Sequence, residues 1–267
     1  MSKTMRQILL LLFIACWFST FFGQSQKVNA SLISTFKIDA DEFIGYDSFG
    51  YSYQVKNNVF SKIKGSEIFE YKNVSLGNIT KVDIQNPLKI VLFYEDFNSV
   101  ILLDNQLNKI TEINFSQNSN PIVVSAIGMS TQNQLWIFNT LNQQICLFDY
   151  LKNEYKTVSV PLTESIKYYQ TDFNTFYWID KKNNWFSCDI FGKISSLGNA
   201  PDFDKIEIIS AKKIIFSKAN LLYLRENTNT AYEIEILEKT FDKFYYKDQI
   251  LSIFTAKEIV NYKIVTP

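Results

Sequence analysis

Residues 166–197 read IKYYQTDFNTFYWIDKKNNWFSCDIFGKISSL. Four short runs stand out: IKYYQTD (166–172), TFYWID (175–180), NWFSCD (184–189) and KISSL (193–197). Each is rich in aromatic and β-branched residues, too short for a helix and without helical spacing, and the gaps between them hold Asn, Asp, Lys and Gly. Asp189 ends a strand and can accept the backbone N–H groups of the turn that follows, while Gly192 supplies a left-handed conformation. The stretch therefore predicts a four-stranded antiparallel meander closed by tight hairpins.

Outward from it, the pattern recurs. Asp104, Asp149, Asp189 and Glu226 each end a strand and open a turn, at spacings of 45, 40 and 37 residues. A second polar residue lies nine positions before three of them: Glu95, Asp180 and Ser217. Aligned on these turns, residues 79–116 (ITKVDIQ, KIVLFYE, SVILLD, ITEINFS), 122–160 and 205–236 (KIEIIS, KIIFSK, LLYLRE, AYEIEI) are further four-strand units. In the turns DNQLNKI and DYLKNEY, Asn108 and Asn153 take the place of Gly192 as the expected left-handed residues. A first unit spans 42–71, and a last, from 243 to 265, has three strands.

Four strands at a repeat of about 40 residues make the blade of a β-propeller, whereas a sandwich does not repeat four-strand units in tandem. The expected fold is all-β: a six-bladed propeller of four-stranded antiparallel blades, with residues 32–39 completing the last blade by pairing with residues 258–265. Closure of that kind leaves no free sheet edge to template aggregation. The order strand, Asp, two or three residues, Gly or Asn, then Lys or Glu resembles the outer hairpin of NHL, YVTN and quinoprotein-type propeller repeats. The chain as a whole resembles exported propeller-like proteins of Gram-negative bacteria, without the Trp-Asp, kelch or Asp-box motifs.

Composition fits one large core: of 267 residues, 46% are hydrophobic and 16% aromatic. The N-terminal MSKTMRQILLLLFIACWFSTFFGQS (1–25) has a basic start at Lys3 and Arg6, an apolar run from Ile8 to Phe22, and small residues at Gly23 and Ser25. This is signal-peptide anatomy, with cleavage expected before Gln26, a single domain over 26–267, and a periplasmic or envelope-associated destination. Ala15 and Cys16 offer a lipidation alternative in which Cys16 carries the anchor, although Phe13 stands where a lipobox has Leu. An uncleaved membrane anchor is a third reading, with an apolar run shorter than the about 20 residues that span a bilayer. Without residues 1–25 the chain carries 25 basic and 27 acidic residues and no long basic cluster, which argues against nucleic acid as a partner. Cys146 and Cys188 lie inside apolar strands and read as core residues rather than a disulfide.

There is no histidine, so imidazole acid-base chemistry, Ser-His-Asp activation and the usual zinc sites are absent. Asp47, Asn86, Asp172 and Asp248 fall in connections between first and second strands of different units. Converging, such a ring would suit calcium, which takes six to eight oxygen ligands, and a cation-dependent hydrolase or lactonase. The ordinary role of Asp and Asn at turns, accepting backbone N–H groups, weighs against it. Trp136, Trp178 and Trp185 with Tyr168, Tyr169 and Tyr177 would form a sugar platform if exposed and a core if buried. No catalytic or cofactor-binding residue is assigned. The expectation is a non-catalytic scaffold binding an envelope protein or polymer, with the calcium-dependent hydrolase as its alternative.

Overall fold

Where apolar side chains recur in short runs bounded by Asn, Asp and Gly, the chain forms strands. The computed structural model describes residues 27–117, 121–227, 230–238, 240–255 and 257–264. The readings of residues 1–25, including Cys16 and cleavage before Gln26, lie outside the described residues. After β1 (Lys27–Lys37), four antiparallel sheets of four strands follow in chain order. They are β2 (Glu42–Tyr46), β3 (Ser52–Lys56), β4 (Val59–Lys64), β5 (Glu67–Tyr71); β6 (Lys81–Asp83), β7 (Ile90–Tyr94), β8 (Ser99–Leu103), β9 (Lys109–Asn114); β10 (Val124–Met129), β11 (Gln134–Asn139), β12 (Gln144–Asp149), β13 (Glu154–Thr157); and β14 (Ile166–Thr171), β15 (Thr175–Asp180), β16 (Asn184–Asp189), β17 (Ile194–Asn199). The remaining strands are β18 (Lys205–Ser210), β19 (Lys213–Lys218), β20 (Leu221–Glu226), β21 (Ala231–Glu235), β22 (Lys243–Lys247), β23 (Ile250–Phe254) and β24 (Glu258–Ile264). Together with β1 they form an eight-stranded sheet in the order β18-β19-β20-β21-β1-β24-β23-β22.

The strand of residues 32–39 begins earlier and ends earlier than expected. Residues 30–37 pair antiparallel with 258–264, and Lys27, Val28 and Asn29 run parallel to Glu233, Ile234 and Glu235 of β21. A bulge at Leu32/Ser34 lies within this strand. Ile38 leaves it while its N–H still reaches the Lys257 carbonyl at 3.0 Å.

In β7, β8, β11 and β12 both faces are buried, which explains runs such as IVLFY and SVILL with nearly no exposed surface. Alternation sends successive side chains to opposite sides. Along β11, Leu135 and Ile137 join a cluster with Val91, Val100 and Phe148, while Trp136 and Phe138 pack with Phe176 and Trp178. Each sheet is thus sandwiched between its neighbours. At the chain ends Phe43 of β2 packs on Phe254 and Ile259.

Tight turns follow the predicted chemistry. Asp104 Oδ1 accepts the N–H groups of Gln106 and Asn108, and Asp189 Oδ1 those of Phe191 and Lys193. Asn153 and Gly192 are left-handed at φ 57° and 88°, but in the earlier turn that conformation falls on Leu107 (φ 61°) and not on Asn108. The two-residue hairpin tips Asn57-Asn58, Ala219-Asn220 and Asp248-Gln249 are left-handed at both positions, matching the twist of their strands. Cys146 and Cys188 are unpaired and buried in different clusters.

Candidate functional site: the central cavity

The first strands β2, β6, β10, β14, β18 and β22 converge on a cavity of about 720 Å³. Each is the edge strand of its meander, so its outward backbone groups have no ladder partner and must find other ones. Side chains from neighbouring first strands supply them. Asp83 Oδ2 accepts the Met129 N–H at 2.7 Å, Gln170 Oε1 that of Ile208 at 2.9 Å, and Glu207 Oε2 that of Tyr246 at 2.8 Å. The Tyr169 hydroxyl accepts the Ile127 N–H at 3.2 Å, and the Tyr245 hydroxyl donates to the Tyr46 carbonyl at 3.2 Å. Lys243 pairs with Glu42 across β22 and β2.

Two glycines make these approaches feasible. A Cβ on Gly128 would lie 1.9 Å from Thr171 Oγ1 and 3.1 Å from Asp83 Oδ2. At Gly45 (φ 151°) the Tyr245 ring would be 2.8 Å away. Larger residues would push adjacent first strands apart.

The cavity wall keeps some accessible surface but lies deep among protein atoms, so loss of hydration dominates its titration. Burial pushes the Glu207 carboxyl up to about 8, against the Tyr246 N–H, Lys243 and Lys81, which favour its charged form. Burial likewise raises Asp83, opposed by the N–H groups of Met129 and Gln85 and by Lys81. Lys81 is lowered by burial and by Lys243, with Asp83, Glu42 and Glu207 pulling the other way.

The four residues singled out at the turns do not line this cavity. Asp47 accepts the N–H groups of Phe49 and Tyr51 and the Tyr53 hydroxyl, Asn86 Oδ1 the Leu88 N–H, and Asp172 Oδ1 the Asn174 N–H. Asp248 is exposed at its hairpin tip with φ 50°. Among the described residues no group of three or more His, Cys, Asp or Glu side chains is arranged to hold a metal ion. The sugar platform is excluded by burial: Trp136, Trp178 and Trp185 are at most 3% exposed, and the Trp136 indole donates to the Asp172 carbonyl. Sequence reasoning missed Lys81, Asp83 and Glu207. Their signal was a charge at alternate positions of an otherwise apolar first strand, as in KVD and KIE.

No protein-family model matches the chain, and no curated protein matches it either. Solved structures do. Virginiamycin B lyase from Staphylococcus aureus is similar over 91% of this chain and 97% of its own, at 11% identity and TM-score 0.56. The β-propeller domain of Cps50 (Swd1) from Myceliophteria thermophila is similar over 88% and 100%, at 9% identity and TM-score 0.57. The chain has a β-propeller fold. BamB from Moraxella catarrhalis matches 88% of this propeller and 99% of its own chain, at 10% identity and TM-score 0.51. At these identities the likeness concerns the fold alone.

Proposed function

We propose that this propeller is an exported, non-catalytic scaffold of the cell envelope that docks a protein or polymer on one end of its sheets. In a four-stranded meander, the turns joining strands one to two and three to four leave the same end. On those turns Phe49 is 58% exposed, Leu88 61%, Leu151 70% and Phe191 88%. This apolar set, contributed by four successive sheets, carries the reading, since hairpin tips ordinarily hold polar residues; at the other end Phe97 and Leu141 are exposed too, at 48% and 66%. The lack of histidine and the engagement of Asp83 and Glu207 in ties between sheets also favour binding over catalysis. Fold by itself does not choose a function.

The same proposal counts six blades. The eight-stranded sheet is then two four-stranded blades joined through β1, and the ring closes between the last blade and the first. Contacts of Phe43 with Phe254, the Lys243–Glu42 pair and the Tyr245–Tyr46 bond support that closure.

Cross-linking in the envelope, co-purification and mass spectrometry, with total bound-metal analysis, test the assignment. The expected result is a specific partner and no stoichiometric metal, with capture reduced at least tenfold by Phe49→Ser together with Phe191→Ser. One calcium per chain without a partner would overturn it in favour of a cation-dependent enzyme.

A further inference from the structure

We propose that the central cavity binds a small molecule bearing one carboxylate, seated on the Lys81 ammonium, with an aromatic body among the tyrosines of the first strands. This goes beyond the docking surface above and does not depend on it.

Hydrogen-bonding capacity around the cavity points to the ligand. The other lysines of the wall are engaged: Lys243 with Glu42, Lys205 with the Phe241 carbonyl, Lys167 with Asn183 Oδ1, and Lys247 with the Tyr46 carbonyl. Lys81 forms no hydrogen bond or ion pair among the described residues; its Nζ lies 5.4 Å from the centre of the Tyr169 ring. Tyr169 accepts a bond from Ile127 N–H, and its own proton has no acceptor among the described residues. Acceptors are engaged instead, both Asp83 oxygens by backbone N–H groups and Gln170 Oε1 by Ile208 N–H and the Tyr168 hydroxyl. Glu207 Oε1 forms no hydrogen bond among the described residues, but its carboxyl, raised to about 8, holds a proton below that pH and can donate it. A cavity with vacant donors and largely engaged acceptors complements a ligand that brings acceptors.

Charge narrows the class further. Among the described residues Lys205 and Lys247 form no ion pair either but are held by backbone carbonyls, so Lys81 is the wall ammonium left without an oxygen partner. One such group suits a singly charged carboxylate better than a phosphate of nearly two charges. The volume lies within the roughly 300–1,000 Å³ of small-molecule sites. Tyr168, Tyr169, Tyr245 and Tyr246 add ring surface that suits a planar apolar body.

Binding should couple to protons. The groups facing Lys81 are Asp83 on its own strand, Glu42 on β2, Tyr169 on β14, Glu207 on β18 and Lys243 on β22. A bound carboxylate favours the charged amine, so the complex takes up a proton wherever free Lys81 is partly neutral. Ionisation of Glu207 as pH rises repels the same anion. Both effects weaken binding toward alkaline pH.

The test titrates the purified protein with 2-naphthoate by calorimetry between pH 6 and 9, in buffers of different ionisation heat. One site per chain is expected, with proton uptake and affinity at least tenfold lower at pH 9 than at pH 6. Lys81→Met should lose at least tenfold in affinity with an unchanged circular dichroism spectrum. On the unmutated protein, cyanate should carbamylate Lys81, and naphthoate should protect it at least fivefold by peptide mass spectrometry. Absence of binding at millimolar naphthoate, binding that survives Lys81→Met, no protection of Lys81, or equal affinity for inorganic phosphate would each overturn the assignment.

Discussion

Leu107 takes the left-handed backbone in the turn after Asp104 although Asn108 is next to it. Its side chain is 3% exposed and packs with Leu92, Ile101 and Leu103, so apolar burial offsets the about 1–2 kcal/mol that such a conformation costs a residue with a Cβ. Turn chemistry legible in sequence therefore placed the turn but not the residue that bends. Glu207 poses the same problem in the cavity. In KIEIIS it reads as the solvated face of a strand, because alternation cannot distinguish bulk water from a cavity wall. Its carboxyl, raised from 4.5 to about 8, prefers the protonated form in the folded chain. The stability this gives is fully present below about 4.5 and is lost as pH rises through about 8. Glu207→Gln keeps an oxygen for the Tyr246 N–H and cannot ionise. We expect it to match the parent at pH 4 and to exceed it by roughly 1–3 kcal/mol at pH 9 in urea unfolding, a range discounted for partial solvent contact. Lys81 is present in both proteins and has the opposite pH trend, and because Glu207 pulls Lys81 up, the difference between them reports Glu207 together with its coupling to Lys81. A gap that stays constant with pH would mean that Glu207 ionises in the folded chain as it does in water.

Strands were the most legible elements, because several second and third strands, such as IVLFY and SVILL, carry unbroken apolar runs and many boundaries carry Asn, Asp or Gly. KIVLFYE, QLWIFN and NWFSCD each became a strand within one or two residues of the reading. β1 was only half legible. LISTFKID has apolar content to suggest a strand, but nothing in KVNA indicates that the preceding residues turn to run parallel with β21. Long-range parallel pairing has no local signature, since its register depends on the partner and not on a turn. Val28 is where the two halves of the eight-stranded sheet meet, 2% exposed among Leu222, Ile234, Tyr262 and Ile264. Val28→Asp would bury an unpaired carboxylate at a cost of several kcal/mol, on the order of 3. Hydrogen exchange should then accelerate together in residues 231–235 and 258–264, while 135–148 stay protected. Acceleration confined to one of the two segments would show that β1 does not tie them into one unit.

At the scale of the whole molecule, the question is whether the sheets open one by one or together. An open array of repeats contacts only neighbours and can fray from its ends, whereas a closed ring has no end from which to start. The repeat was legible in the spacing of Asp104, Asp149 and Asp189; the cavity was not, because it is made of six strands that no local pattern relates to one another. Cys146 and Cys188 report on opening from two places. Cys146 packs with Phe93, Val100 and Ile137, and Cys188 with Trp136, Phe176 and Trp178. Burial raises both thiols, Cys188 to about 11, so neither presents a reactive thiolate in the folded chain. Pulses of iodoacetamide along a urea gradient, read by mass spectrometry of each cysteine peptide, follow the two sites separately. For a closed ring we expect no labelling in native buffer and one shared midpoint for both cysteines, coincident with loss of the β-sheet circular dichroism signal. Labelling of one cysteine at lower urea than the other would mean that the sheets part individually, and the contacts of Phe43 with Phe254 would then hold too weakly to make the molecule one cooperative unit.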